Sequence, residues 1–175
     1  DDDLDTYFTF NYLPAPRTGL KGVRMLQPGC ILRVDSHGVN LRRYWKPNYQ
    51  IDLEPWGKKQ IESFKDILFN SVKKQMVSDT PLGLFLSGGL DSYAMALSAV
   101  SSGQNPIAFT LGFEDQNFNE APAALSYTKH LKIADEVSMF SWTETEIHEN
   151  LKAMNELLAD ASCFPIYQLS RFARK

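Results

Sequence analysis

The sequence is poor in features that mark several common classes of protein. It has only two cysteines, Cys30 and Cys163, which lie far apart and fit no zinc-ligand spacing. Its formal net charge of −3 argues against nucleic acid as a main partner. It contains no run of about 18 apolar residues and no charged-then-apolar start, so it predicts neither a membrane span nor a secretory signal. We therefore expect a globular, cytoplasmic chain with reduced thiols.

Histidine is also scarce, and its three positions do not favour catalysis. His37 falls in a predicted turn, and His130 and His148 fall on predicted helix surfaces. No two of them have the spacing of a metal site or a catalytic triad. We therefore assign no catalytic residue from the sequence.

What is present is a strand, a glycine turn and a helix start between Leu84 and Ser92. The apolar run stops at Ser87-Gly88-Gly89, and apolar residues then recur with the spacing of one helix face. Glycines let the backbone approach a ligand closely, and a helix N-terminus directs N–H groups and positive dipole at the turn. This combination suits a phosphate group. Ser87 and Ser92 add hydroxyl groups, and Asp91 can cap the helix or hold a metal. A plain strand–turn–helix corner is the alternative.

Hydrophobic periodicity around this turn predicts strands that alternate with helices. The predicted strands are Leu82–Leu86, Ile107–Leu111 and Ile133–Phe140. The predicted helices begin near Lys58, after Gly89, near Ala121, after a Thr143–Glu146 capping box and near Pro165. Gly103 suits the C-terminal cap of the helix that begins after Gly89. This order implies an α/β fold: a parallel sheet with helices on both faces. Ligands of such sheets bind beyond the carboxyl ends of the strands, which is where the glycine turn lies.

Two smaller expectations concern the ends of this pattern. Cys30–Val34 and Val39–Tyr44 read as a hairpin around the four-residue loop Asp35–Gly38. Near the other end, the spacing of four apolar residues predicts one long helical face. These residues are Ile147, Leu151, Met154 and Leu158.

The stretch Ser87–Ser92 resembles, at all six positions, the Ser-Gly-Gly-x-Asp-Ser pyrophosphate loop of the N-type ATP pyrophosphatases. Other segments make the chain similar to the glutamine-dependent asparagine synthetases in particular. These segments are Pro14–Thr18, Leu26–Gly29, Gly38–Trp45, Gly112–Asp115 with Asn119-Glu120, and Pro165–Arg171. The fold that the resemblance implies is that of the adenine nucleotide α-hydrolases. Residues 1–50 would then be the end of a glutaminase-type domain with the start of a linker, and residues 51–175 the first part of a synthetase domain.

The resemblance also implies a reaction. With Mg²⁺ on the phosphates, aspartate would be adenylated by ATP to β-aspartyl-AMP with release of pyrophosphate, and ammonia derived from glutamine would complete asparagine. The expected partners are ATP, aspartate and this ammonia, with no nucleic acid and no membrane. A homodimer is one assembly that we expect for such a protein.

The nucleotide-binding residues that the resemblance implies are few. They are Leu86, Ser87, Gly88, Gly89, Leu90, Asp91 and Ser92 of the loop, with Leu111 and Glu120. Leu86 and Leu111 would contact adenosine, Glu120 would lie near the nucleotide, and Asp91 would also hold the metal.

The chain departs from the family pattern in several places. It begins with Asp1 where the glutaminase has its nucleophilic cysteine, and it lacks the later Ser-Gly-Glu-Gly-Ser-Asp-Glu segment and the catalytic lysine. We expect an excerpt of a larger protein that carries parts of an ATP site without turnover and leaves the first predicted strand with an open edge. Tyr93 replaces a small hydroxyl residue and is expected to pack on the sheet.

Two other functions remain open at this point. One is a related amidotransferase that acts on another carboxylate. The other is a non-catalytic ATP-binding module, against which the complete loop weighs.

Overall fold

The computed structural model describes residues 2–49 and 55–174. The helices are α1 (Asp2–Phe10), α2 (Lys58–Gln75), α3 (Leu90–Ser101), α4 (Ala121–Leu131), α5 (Glu144–Ala153) and α6 (Cys163–Ala173). The strands are β1 (Cys30–Asp35), β2 (Gly38–Arg43), β3 (Gly83–Phe85), β4 (Ile107–Gly112) and β5 (Asp135–Met139).

The chain divides into two compact units. The hairpin unit comprises Asp1–Leu53 and Glu149–Ala161, and the sheet unit comprises Glu54–His148 and Ser162–Lys175. The boundary between them therefore falls inside α5. The assignment of residues 1–50 and 51–175 to parts of two larger domains stays a prediction.

In the hairpin unit, β1 and β2 pair antiparallel as predicted, but the four-residue loop is wrong. Asp35 and Gly38 are themselves paired, so the loop contains only Ser36 and His37. The Asp35 carboxylate accepts a hydrogen bond from the His37 N–H at 2.9 Å, and Gly38 has a φ of 120° that disfavours any other residue. This local chemistry allows the shortest common hairpin connection.

The long helical face predicted after Thr143 is also wrong in its second half. Helix α5 ends at Ala153, and Leu158 forms an isolated antiparallel bridge with Tyr12. The Ala159 N–H donates to the Asn11 carbonyl at 2.8 Å. The apolar spacing continues past the helix, but the backbone there is paired with the segment after α1, so a tertiary contact overrides the helical pattern.

The sheet unit confirms the predicted α/β fold. Strands β3, β4 and β5 are parallel and lie in that order. Side chains of neighbouring β4 residues point to opposite faces. Ala108 is fully buried in a cluster with Ala96 of α3 and Ala124 of α4, whereas the Phe109 ring meets the Phe172 ring of α6 edge-on at 5.8 Å. Helices therefore cover both faces of the central strand.

The helix boundaries in this unit follow the predicted signals. Gly103, just after α3, has a φ of 81° and donates its N–H to the Val100 carbonyl at 2.9 Å, as a left-handed C-terminal cap does. At the start of α5, the Glu146 N–H donates to the Thr143 hydroxyl at 3.2 Å and the Glu146 carboxylate accepts from Thr143 in return. Across the described residues, no helix has the length and apolar character needed to cross a membrane.

Candidate functional site

Residues 86–89 connect β3 to α3 at the carboxyl end of the sheet. Leu86 is almost completely buried, with 2% of its surface exposed, and both of its backbone groups are held by β4. Its N–H donates to the Phe109 carbonyl at 2.9 Å, and its carbonyl accepts from the buried Thr110 hydroxyl at 2.9 Å. The point where the chain leaves the sheet is therefore fixed by the neighbouring strand.

The two serines of the turn hold each other and the backbone between them. Their hydroxyl oxygens lie 3.0 Å apart, and the Ser92 oxygen also accepts from the Ser87 N–H at 3.2 Å. The Ser87 hydroxyl accepts from the Gly89 N–H at 3.1 Å. The carbonyl oxygens of Ser87 and Gly89 lie 3.2 and 3.0 Å from the Ser92 hydroxyl. The serines predicted to contact a phosphate thus also shape the turn.

Gly88 lies where a side chain would be crowded by α4. A Cβ atom at this position would come within 3.1 Å of the Ala123 Cβ and 3.2 Å of the Glu120 Cβ. Gly88 is not in the left-handed backbone region, so it is needed for close approach of α4 to the turn rather than for its conformation.

Helix α3 begins without a side-chain cap. Its N-cap is Gly89, which has extended backbone and no side chain to offer. The N–H groups of the first three helical residues, Leu90 to Ser92, have no acceptor within the helix. With Asp91 in this first turn, the structure presents backbone donors and one carboxylate at the same helix end. An anion bound with a divalent cation suits that combination.

Glu120 reaches the turn directly from the N-terminus of α4. Its carboxylate accepts a hydrogen bond from the Gly88 N–H at 3.0 Å. Tyr127, further along α4, donates its hydroxyl to the Gly88 carbonyl at 3.1 Å. The sequence interpretation proposed Glu120 but missed Tyr127. The spacing of seven residues places Tyr127 two turns from Glu120 on one helix face, but it does not show that this face meets the turn.

The remaining predicted residues lie at the same end of the sheet. Phe85 pairs with Phe109, so Leu111 lies two residues beyond that register on β4, level with the start of the turn. Leu111 is partly buried and Leu90 is exposed. In the described part of the chain, no group of three or more His, Cys, Asp or Glu side chains forms a metal cluster. A Mg²⁺ ion at Asp91 would take phosphate oxygens and water at its other positions, which is the usual mode for this ion.

A cavity of about 540 Å³ lies beyond the ends of β4 and β5. Its walls are largely aromatic, with Phe113, Phe118, Phe140 and Trp142 among them, and Glu114 and Asp115 add two carboxylates. The sequence analysis did not identify this cavity, because its residues come from two loops that are adjacent only in the folded sheet.

Comparison with known proteins matches the sequence of this chain to one family. The family model for asparagine synthase matches residues 63–175. The chain belongs to the asparagine synthase family. The match covers β3, the glycine turn, α3 and all later elements of the sheet unit.

Individual relatives extend the similarity over the whole chain. Asparagine synthetase (glutamine-hydrolysing) 1 of Bacillus subtilis is 29% identical over 175 residues, 98% of this chain and 28% of its own length. A protein of Mycobacterium tuberculosis provisionally named as an asparagine synthetase (glutamine-hydrolysing) is 30% identical over 178 residues, with 98% of this chain and 27% of its own length covered. The chain therefore spans between a quarter and a third of the length of these relatives.

Proposed function

We propose that this chain supplies the ATP-binding turn of an asparagine synthetase-type ligase. The observation that carries the proposal is the turn between β3 and α3. It combines the complete Ser-Gly-Gly-x-Asp-Ser sequence with a helix start that has no side-chain cap. The names of the relatives support aspartate as the acceptor carboxylate and glutamine as the nitrogen source.

The turn would bind the β- and γ-phosphates, which depart as pyrophosphate when the α-phosphate is transferred to a carboxylate. The N–H groups at the start of α3 and the positive end of its dipole stabilise negative charge that increases on the departing group. They are held before the ligand arrives, so little reorganisation is needed in the transition state. Leu86 and Leu111 would contact adenosine at the carboxyl end of the sheet.

Asp91 would hold Mg²⁺ together with phosphate oxygens. The ion, when bound, supplies positive charge that neutralises the phosphates and orients them for displacement in line with the attacking carboxylate. The residues of the turn bind and orient the phosphate groups. No proton transfer is assigned to them.

The direct test measures binding of ATP and of inorganic pyrophosphate, each with Mg²⁺, to the intact protein by calorimetry. We expect binding that depends on Mg²⁺ and that weakens at least about tenfold in Asp91→Ala, because one phosphate–metal–carboxylate link is lost. Asp79→Ala, an exposed change before β3, is the control. Absence of binding by the unaltered protein, or equal binding by Asp91→Ala, would contradict the proposal.

The acceptor is tested separately by the products. In the presence of ammonia, aspartate should be required for the release of AMP and pyrophosphate. Release that requires a different carboxylate would identify a related amidotransferase, and binding without release under any of these conditions would favour a non-catalytic module.

A further inference from the structure

Helix α4 holds both backbone polar groups of Gly88. Glu120 accepts from its N–H at 3.0 Å and Tyr127 donates to its carbonyl at 3.1 Å. The two side chains come from one helix, 32 and 39 residues further along the chain. A glycine has no side chain of its own to fix it, so these two contacts act together with the bonds that Ser87 and Ser92 make to the same peptide groups.

The Tyr127 side chain is itself held in place. Its ring lies 4.6 Å from the ring of Tyr93 on α3, and it packs against the buried cluster that contains Ala96 and Ala124. The apolar part of the ring is thus fixed by the core, and its hydroxyl reaches the turn. Tyr93 therefore packs on α4 through the Tyr127 ring, and it also lies against the buried cluster that includes Ala108 of the sheet.

The two contacts control different peptide planes. The Gly88 N–H belongs to the peptide that joins it to Ser87, whereas the Gly88 carbonyl belongs to the peptide that carries the Gly89 N–H. Glu120 therefore orients the first plane and Tyr127 orients the second. The second plane leads directly into the first turn of α3.

We propose that Glu120 and Tyr127 are positioning residues that clamp Gly88 and thereby aim the turn at a phosphate group. The choice of ligand rests on the proposed function, but the clamp does not. The proposal changes the expected role of Glu120. Its carboxylate is hydrogen-bonded to the turn, so it acts on the nucleotide through Gly88. This hydrogen bond offsets the repulsion between the carboxylate and a nearby anion.

The first experiment needs no ligand. In the intact protein with ¹⁵N-labelled glycine, amide exchange is followed at Gly88 and Gly89. Tyr127→Phe keeps the ring and removes the donor, so we expect the Gly89 N–H to exchange about fivefold faster, the effect of one neutral hydrogen bond. Glu120→Ala should accelerate exchange at Gly88, and Glu120→Gln, which keeps an acceptor, should restore most of the protection.

The matched control is Tyr93→Phe. It removes a hydroxyl from the ring that packs against Tyr127 without touching the clamp, and we expect unchanged exchange at both glycines. Equal exchange in Tyr127→Phe and the unaltered protein, with Glu120→Ala equally without effect, would overturn the clamp.

The second experiment measures binding of inorganic pyrophosphate with Mg²⁺ by the same proteins. We expect affinity to fall about three- to tenfold in Tyr127→Phe and Glu120→Ala, with Glu120→Gln recovering most of the loss. Faster exchange with unchanged affinity would overturn the positioning role. If the unaltered protein binds no pyrophosphate, the proposed function fails, while the exchange measurement still decides whether the clamp exists.

Discussion

Helices α3 and α5 both belong to the alternating strand–helix pattern of the chain. They differ in whether side chains bind the backbone N–H groups at their N-termini. At α5, the hydroxyl of Thr143 and the carboxylate of Glu146 bind the backbone N–H groups of Glu146 and Thr143. At α3, the N-cap is Gly89, which offers no side chain. A helix end that satisfies its own donors gains stability, and one that leaves them exposed is suited to binding an anion.

The same difference is visible in how the hydroxyl groups are used. The Ser141 and Thr143 hydroxyls donate to Glu146 at 2.6 and 2.8 Å, so this carboxylate is hydrogen-bonded by its own chain. In the turn before α3, the hydroxyls of Ser87 and Ser92 brace the backbone instead. Asp91, in the first turn of α3, is exposed. Changes at the start of α5 should therefore affect stability, and changes at the start of α3 should affect binding.

The largest effect is expected for Gly88→Ala. The new Cβ would meet the Cβ atoms of Ala123 and Glu120, so α4 or the turn must move, at a cost of about 1–3 kcal/mol in the free energy of unfolding. Binding of pyrophosphate with Mg²⁺ should fall by more than about tenfold because the clamp on residue 88 is disrupted. Calorimetry and urea unfolding measure the two effects.

Gly57→Ala serves as the control for Gly88→Ala. Its Cβ would meet only the flexible Gln60 side chain at 3.4 Å. Normal pyrophosphate affinity in Gly88→Ala would contradict the close packing described for this turn.

Ser92→Ala should have the next largest effect on binding. It removes the acceptor of the Ser87 N–H and the group that contacts the Gly89 carbonyl, but it leaves α3 intact. We expect pyrophosphate affinity about three- to tenfold lower, with a small loss of stability, since each such bond contributes about 1 kcal/mol. Ser126→Ala, on an exposed face of α4, is the comparison, and equal affinities in the two variants would refute the bracing role.

Thr143→Ala should lower stability and leave binding unchanged. Loss of an N-cap hydroxyl costs about 1 kcal/mol, so the midpoint of urea unfolding should fall while pyrophosphate affinity stays the same. A clear loss of affinity would show that the two helix starts are not separate in function.

The smallest expected effect is the pH dependence contributed by Glu146. Hydrogen bonds from Ser141 and Thr143 lower the pKa of this carboxyl below its ordinary value of 4.5. Because the folded-state pKa is the lower one, the stabilisation is fully present above about pH 4.5 and is lost as the pH falls through the folded-state value. Glu146→Gln should reduce the pH dependence of the free energy of unfolding in that range. Identical dependence on pH in the two proteins would contradict the lowered pKa of Glu146.

The features that the sequence predicted are those set by local chemistry. The strand at Ile107, the helix start after Gly89 and the left-handed Gly103 each follow from a few adjacent residues. The two-residue hairpin loop is a local feature that was predicted wrongly, whereas the other features missed depend on distant contacts. Leu158 keeps the spacing of a helix but pairs with Tyr12, and no local pattern reveals that partner.

The candidate site likewise contains a part set by local sequence and a part that depends on distant contacts. The glycine turn at Ser87–Ser92 was predictable because its residues are adjacent in the chain. Tyr127 was not, because its role depends on how α4 packs against the turn, and a tyrosine on a helix normally indicates packing. The aromatic cavity near Phe140 was not predicted either, because its residues come from two loops that meet only in the folded sheet.

The anchors of the turn also bear on the order in which the protein folds. Its carbonyl at Leu86 is held by Thr110, and Gly88 is held by Glu120 and Tyr127, which lie 24, 32 and 39 residues later in the chain. Contacts over such separations form only after the entropy of closing the intervening loop has been lost. The turn therefore lacks these contacts until the chain as far as α4 has been made and packed, and it takes the shape described above only then.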